Sequence, residues 1–414
     1  MATKTNLKKK IRRVRPPKRI SREYERATET AKYYGFCQAP YLEIEREDLI
    51  KAKTFKDSHT KEVHPFREDE FKFSGFLEEK ICILRNFLEK NMAHLGIPAP
   101  IYYEGPIAGN PHIPRIKREK TFNMEILSNS KSIADAMIIE TAFVILKDQY
   151  PEEELSIGIN SIGDKESIAR FTRELTAYYR KNWSSLPAHC RATFKKDIFE
   201  ILHCREEECL ALQEAAPKAM SFLSEPSRVH FKEVLEYLES LGLPYNIEHS
   251  LVGSRSFCSG TIFEIRGTNK KTKEENTYAI GERYNGLAKK IWNKKDVPSV
   301  GVAILIHPDH LKQNRRHREV APKFYFIQFG FDAKLQSLKI MEMLRQAKIP
   351  MHQSLSKDKL TVQIGTAEKM NIPYVIIMGQ KEALEGSAVV RNMSNRSQET
   401  IMIEDLVKYL KKLK

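Results

Sequence analysis

The chain has 414 residues, 41% of them apolar and 30% charged, which is enough for two or three domains with substantial cores. No run of about 18 apolar residues occurs and no apolar stretch near the start resembles a secretory signal, so no membrane span is expected; six cysteines over this length fit a reduced, cytoplasmic setting better than a disulfide scaffold. The net charge is +15, and residues 1–19 alone hold nine basic side chains, among them Lys8, Lys9, Lys10, Arg12 and Arg13, with no acid. This basic arm makes a polyanion such as RNA the expected partner, a solvated arm without a partner being the plainer alternative.

Beyond the arm, 20–34 has helical spacing and stops at Gly35, and 36–44 reads as a strand whose Pro40 favours an edge or a bulge. The pattern then predicts a helix over 76–95, a strand over 101–104 and a basic loop with prolines and glycines over 105–118. A strand over 121–127, a helix over 132–148 and a strand over 155–162 follow. Residues 164–241 are almost wholly helical in pattern and interrupt two strand-rich regions, as an inserted helical domain would. Strands resume over 245–252, 260–266, 277–281 and 299–305. After a polar linker at 308–321, alternating strand and helix patterns fill 322–414 and predict a small α/β domain with a largely buried sheet.

Segment 278–303 contains Gly281, Arg283, Tyr284, Gly286 and Leu287, followed by Pro298, Val300, Gly301 and Ala303. It resembles the last strands of a class II histidyl-tRNA synthetase, where Ala-Gly-Gly-Arg-Tyr-Asp-Gly-Leu precedes a Pro-x-Val-Gly-Phe-Ala strand. Other pieces appear in the family's order. Pro40 resembles the motif 1 proline of the family's dimer interface. Tyr103-Glu104-Gly105-Pro106 resembles the opening of motif 2, and Ile159-Asn160-Ser161-Ile162-Gly163 the approach to the helical insertion. Pro373-Tyr374-Val375 with Gly379 resembles part of the anticodon-binding domain. The resemblance implies an α+β fold. A class II synthetase-type antiparallel sheet with flanking helices would span 20–155 and 245–307, interrupted by a helical insertion at 156–244. An anticodon-binding-type α/β domain would occupy 322–414, and the chain would form a homodimer.

The same alignment removes the family's phosphate-gripping arginines. The motif 2 arginine falls on Gly109 and its glutamate on Pro111; the arginine of the histidine-recognition segment falls on Gly253, and that of motif 3 on Pro308. The family's two pocket tyrosines fall on Phe257 and Cys258. Candidate catalytic remnants are Arg283 and Arg255, the latter two positions past Gly253, where strand alternation would return it to the same face. Ligand-pocket candidates are Glu125, which the resemblance sets against the ligand's amino group, with Glu79 (or Glu78), Thr121, Tyr284 and Gly286. The motif 2 loop keeps Arg115, Lys117, Arg118 and Lys120, which in the family would face the tRNA acceptor end.

His189, Cys190, His203, Cys204 and Cys209 gather in the insertion. Three thiols and an imidazole suit tetrahedral zinc, but the spacing lacks a C-x-x-C knuckle, so idle thiols and no metal are the expectation. The expected function is a synthetase-like protein without adenylation that binds RNA, plausibly tRNA, with no cofactor. Two alternatives stay open: an active, divergent histidine–tRNA ligase using ATP and Mg2+, and a regulatory subunit of a metabolic enzyme such as ATP phosphoribosyltransferase.

Overall fold

The computed structural model describes residue 17 and residues 19–59, 77–109, 120–194, 198–253, 257–293, 295–306, 322–354 and 359–413. The expected linker at 308–321 and most of the basic arm lie outside them. Strands β3 (Thr121–Leu127) and β8 (Ser299–Leu305) form with the limits that the apolar pattern predicts, and every residue in both is buried. They are the centre of a sheet that, among the described residues, has eight strands in the order β1-β2-β3-β8-β7-β6-β4-β5. The others are β1 (Cys37–Gln38), β2 (Ala99–Gly105), β4 (Glu153–Ser161), β5 (Tyr245–Ile247), β6 (Thr261–Asn269) and β7 (Glu275–Arg283). The inner pairings from β2 through to β4 are antiparallel, and the two edge strands pair parallel.

Full burial follows because both faces are covered. Helices α4 (Ser132–Gln149) and α8 (Glu225–Leu241) pack on one face, against Phe122, Met124, Phe263 and Ile304. Helix α3 (Leu77–Leu88) belongs to the core on the other face, with Ile101, Tyr103 and Ile262. Helix α2 (Arg46–His59) packs on α3, where Asp48 accepts two hydrogen bonds from Arg85, at 2.8 and 3.0 Å.

Several expected elements are shorter than their sequence patterns. The strand over 36–44 is only β1. Past it, Pro40 has no N–H to extend a ladder, and the chain keeps to the edge of the sheet through isolated bonds, Ala39 N to Tyr102 O and Ile44 N to Ala108 O. The strand over 245–252 is only β5, and Leu251–Gly253 are irregular. The 76–95 helix ends at Leu88, with Lys90 at φ +63°. Helix α2 was not anticipated because its charged residues hide the periodicity. The boundary placed at 155/156 falls inside β4, whose residues pair with β6 along their whole length.

The helical segment after β4 starts at α5 (Lys165–Lys181). Asp164 caps α5 through the Ser167 N–H, and Ser224 caps α8 through the Ser227 N–H. The two caps also bond to each other, Ser224 Oγ donating to Asp164 Oδ2 at 2.6 Å. The entry and exit helices of the segment therefore share one root.

The C-terminal unit has a five-stranded sheet in the order β10-β9-β11-β12-β13. Strands β9 (Phe324–Gln328), β10 (Met351–Gln353) and β11 (Tyr374–Met378) run parallel, while β12 (Ser387–Asn392) and β13 (Gln398–Met402) close it antiparallel. This unit docks on the first through α10 (Phe331–Gln346), which packs on α8 and whose Glu342 meets Tyr34, just past α1 (Glu25–Tyr33). Tyr33 donates to Ile349 O, Gln353 to Tyr34 O, and Tyr34 to Glu342 at 2.8 Å and to Glu140 at 3.3 Å. No helix among the described residues is long and apolar enough to cross a membrane.

Glu140 is the weak point of that interface. It is 1% exposed, and its second carboxylate oxygen has no hydrogen-bond partner among the described residues. Burial, reinforced by the Glu342 charge, holds its carboxyl well above the usual range. A carboxyl whose folded pKa is raised takes up a proton on folding. Its contribution is intact below the unfolded pKa and is lost as pH climbs toward the folded one. Glu140→Gln keeps an acceptor for Tyr34 and removes the titration. Its melting temperature should match the parent in acid and exceed it increasingly from about pH 5 to about pH 8, measured by thermal denaturation across pH.

Candidate functional site

The register of the central strands puts one glycine between two acids. Gly301 on β8 pairs with Glu125 on β3 and with Glu282 on β7. All three side-chain positions share one face of the sheet, and a Cβ at position 301 would overlap the Glu125 carboxylate. The bare glycine therefore leaves room for Glu125 to lie flat on the sheet. From above, α3 lowers Lys80 onto this row. Its ammonium is 3.0 Å from Glu125 Oε1 and 4.5 Å from the centre of the Tyr284 ring, while Tyr284 donates its hydroxyl to Glu125 Oε2 at 2.8 Å. The Lys80 and Glu125 side chains are 6% and 1% exposed, so this is a buried ion pair and not a surface one.

The electrostatics follow from that burial. Desolvation pulls the Lys80 pKa down, but Glu125, Glu282 and the hydrogen bond to Glu125 outweigh it, and the ammonium stays above its usual value. Glu282 is pushed up, by burial first, with Lys80 opposing; it accepts from Cys258 Sγ at 2.6 Å. Tyr103 and Tyr284 lie beside Glu125, and burial followed by that carboxylate holds both phenols far above their ordinary range. The cluster thus keeps one fixed cation among acids and neutral phenols.

The structure brings Glu125 and Tyr284 together, with Glu79 nearby as acceptor for the Ile107 N–H at 3.2 Å. Thr121 is buried on β3 beside Gly105. Gly286 takes φ +83° at the start of α9 (Leu287–Trp292) and donates its N–H to Asp296. Arg283 is set apart from the cluster. Being next to Tyr284 on a strand, it faces the opposite side of the sheet. There it is 1% exposed, its Nε bonds Asp135 at 2.9 Å, and its Nη1 bonds Asn129 O at 2.8 Å; His230 holds the same Asp135 at 3.0 Å. The two groups hold that carboxyl well below its usual range despite its burial. Arg283 fastens the sheet to α4, and it is not placed to touch a ligand on the cluster side.

Arg255 lies outside the described residues, as do Arg115, Lys117, Arg118, Lys8, Lys9, Lys10, Arg12 and Arg13. The strand alternation invoked for Arg255 does not hold on its approach, because Leu251–Gly253 form no strand and Gly253 has φ +55°. A Cβ there would come within 2.9 Å of both Cys258 Sγ and Ile262 Cδ1. Gly109 is equally committed, with φ +82° and a would-be Cβ 2.7 Å from Ile44 O. Neither backbone accommodates an arginine as it stands. Lys120 is exposed and pairs with Glu23 at 3.3 Å.

Sequence reasoning missed Lys80 and Glu282. The available signal was Glu78-Glu79-Lys80, a charged triplet at the start of a largely apolar helix whose first ten residues are all buried. It also missed Arg266 on β6, which pairs with Glu264 and, at 3.4 Å, with Glu248 farther along the sheet.

Comparison with known proteins adds a lineage to this geometry. Residues 323–413 match the anticodon binding domain family. The histidine–tRNA ligase of Halothermothrix orenii is 29% identical over 342 residues, covering 81% of each chain. That of Fervidobacterium nodosum is 28% identical over 373 residues, covering 88% of this chain and 87% of its own. Among solved structures, the apo form of S. aureus histidyl-tRNA synthetase aligns over 94% of both chains with a TM-score of 0.50 and 21% identity, a likeness of fold.

The ion pair sets a stability test. Lys80→Met strands Glu125 in the interior and should cost about 3–5 kcal/mol in urea unfolding. Adding Glu125→Gln to that variant removes the stranded charge and should restore much of the loss, so the two substitutions are strongly non-additive. An unchanged urea midpoint for Lys80→Met would rule out the pair as a stabilising element.

Proposed function

Because the chain belongs to the histidyl-tRNA synthetase family, we propose that it retains the family's scaffold and an affinity for tRNA but no longer forms an aminoacyl adenylate. The observation that carries this reading is Lys80. The family resemblance sets Glu125 against the amino group of the amino-acid ligand, and here an ammonium of the protein itself lies 3.0 Å from that carboxylate. It offers the same charge and the same donors as the ligand's amino group. A free amino acid would have to displace it from Glu125, and the neighbouring acids Glu282 and Glu79 already accept from Cys258 and from the Ile107 N–H.

Loss of the phosphate grip supports the same reading. An amino acid is activated only if cations meet the charge developing on the α-phosphate, each such donor contributing about 3–4 kcal/mol. Gly109 and Gly253 stand at two of those positions in backbones closed to longer side chains. Arg266 is a cation on the cluster side of the sheet, but Glu264 and Glu248 hold it.

What the reading keeps is RNA. The match of 323–413 to an anticodon binding domain supports tRNA as the partner, with the arm (Lys8, Lys9, Lys10, Arg12, Arg13) and the motif 2 loop (Arg115, Lys117, Arg118, Lys120) as further phosphate contacts. A homodimer in a reduced, cytoplasmic setting completes it; the six cysteines are free thiols.

Pyrophosphate exchange into ATP should not rise on adding histidine, and a robust histidine-dependent signal would overturn the loss of adenylation. Purified free of nucleic acid, the protein should bind tRNA in a filter or fluorescence assay. The affinity should fall at least about tenfold between roughly 50 and 200 mM salt as phosphate neutralisation releases counterions. Absence of binding at the lower salt would remove the RNA half of the proposal.

A further inference from the structure

The segment between α5 and α8 contains a second polar cluster, separate from the one around Glu125, at the edge of the core that α3 shares. It is built from α6 (Ala188–Phe194), a 3-10 turn at Ile198–His203 and α7 (Glu207–Ala215). Helices of seven and nine residues do not hold themselves in water, and here packing of Ile198, Phe199, Ile201 and Leu202 into the core keeps the thiols together. His189, Cys190 and Cys204 offer three ligand atoms that all lie within 4.8 Å of one another. His189 Nε2 is 3.1 Å from Cys190 Sγ and 3.4 Å from Cys204 Sγ, and Cys190 Sγ is 3.0 Å from Cys209 Sγ.

We propose that His189, Cys190, Cys204 and Cys209 form a structural zinc site. Three sulfurs and one imidazole nitrogen are a donor set that zinc prefers over hard cations. Zinc–sulfur bonds of about 2.3 Å and zinc–nitrogen bonds of about 2.0–2.1 Å require ligand atoms roughly 3.5–3.8 Å apart in a tetrahedron. The separations of 3.0, 3.1 and 3.4 Å would open by less than about 1 Å, and Cys209, which stands outside the group of three ligand atoms, would turn toward His189 and Cys204 by side-chain rotation. The thiols give up their protons as the metal enters. Four protein ligands fill the coordination sphere and leave no open position for a substrate, so the role is to hold the fold.

Two surrounding contacts point the same way. Glu206 lies 3.6 Å from Nδ1 of His189, the ring nitrogen turned away from the thiols. At this distance the carboxylate is a charge contact and not a hydrogen bond, and it lies on the side of the ring that leaves Nε2 facing the thiols. Gln213 donates its amide to Cys204 O and to Ile201 O, both at 2.7 Å, and so anchors the turn that carries Cys204. A Cys190–Cys209 disulfide is the competing chemistry. It needs a sulfur–sulfur bond of about 2.05 Å and would leave His189, Cys204 and Glu206 without a part.

The test uses the full chain, expressed with zinc in the medium and purified without chelator. Elemental analysis should find about one zinc per chain. After removal of the zinc, cobalt(II) should give the intense visible bands of a tetrahedral thiolate site. Cys204→Ser should abolish both signals, whereas the exposed Cys37→Ser should retain them. Metal-free wild-type protein that gives no tetrahedral cobalt spectrum would overturn the site, as would an intact Cys190–Cys209 disulfide in non-reducing mass spectrometry. Because these readouts come from the wild-type chain, poor folding of a variant leaves the test decisive.

Discussion

A carboxylate enclosed by a sheet below and a helix above must be neutralised from within, and much of the first domain is arranged around that requirement at Glu125. Its strand has neighbours on both sides, so Glu125 cannot turn outward. Gly301 beside it is bare, which gives the carboxylate room, and α3 is buried deeply enough to deliver Lys80. Tyr284 takes the second oxygen. Substitution at any of these positions disturbs the others, since the interior supplies no water to make up a missing partner.

The opposite face of the sheet obeys the same rule with different residues. Arg283 and Asp135 form a buried pair there, completed by backbone carbonyls and His230. Adjacent residues on one strand, Arg283 and Tyr284, thus serve two unrelated clusters. The first joins the sheet to α4, and the second joins Glu125 and Lys80 on the other face. The docking of the C-terminal unit is less well balanced, because Glu140 sits in it with half its carboxylate unsatisfied.

Much of the fold was legible because it rests on local pattern. Strands β3 and β8 alternate apolar residues without interruption, and the helical run after β4 keeps its period. The site was legible only in part. Glu125 and Tyr284 could be named from motif likeness, but their partner could not, since Lys80 comes from a helix whose contact with the sheet is a tertiary fact. Arg283 shows the reverse case: the motif pointed to it, and strand alternation turned it to the far side. The cysteines of the insertion were discounted on spacing. Spacing between short helices says little about distance in space, and His189, Cys190 and Cys204 converge without a knuckle motif.

The enclosed pair also bears on the history open to this chain. Losing Lys80 first leaves a naked acid in the interior, and losing Glu125 first leaves a naked ammonium. Either single step carries the cost of an unpaired buried charge, so the two positions are expected to change together or not at all. The pair acts as a ratchet on its own sequence: once both partners are in place, selection for stability alone keeps both.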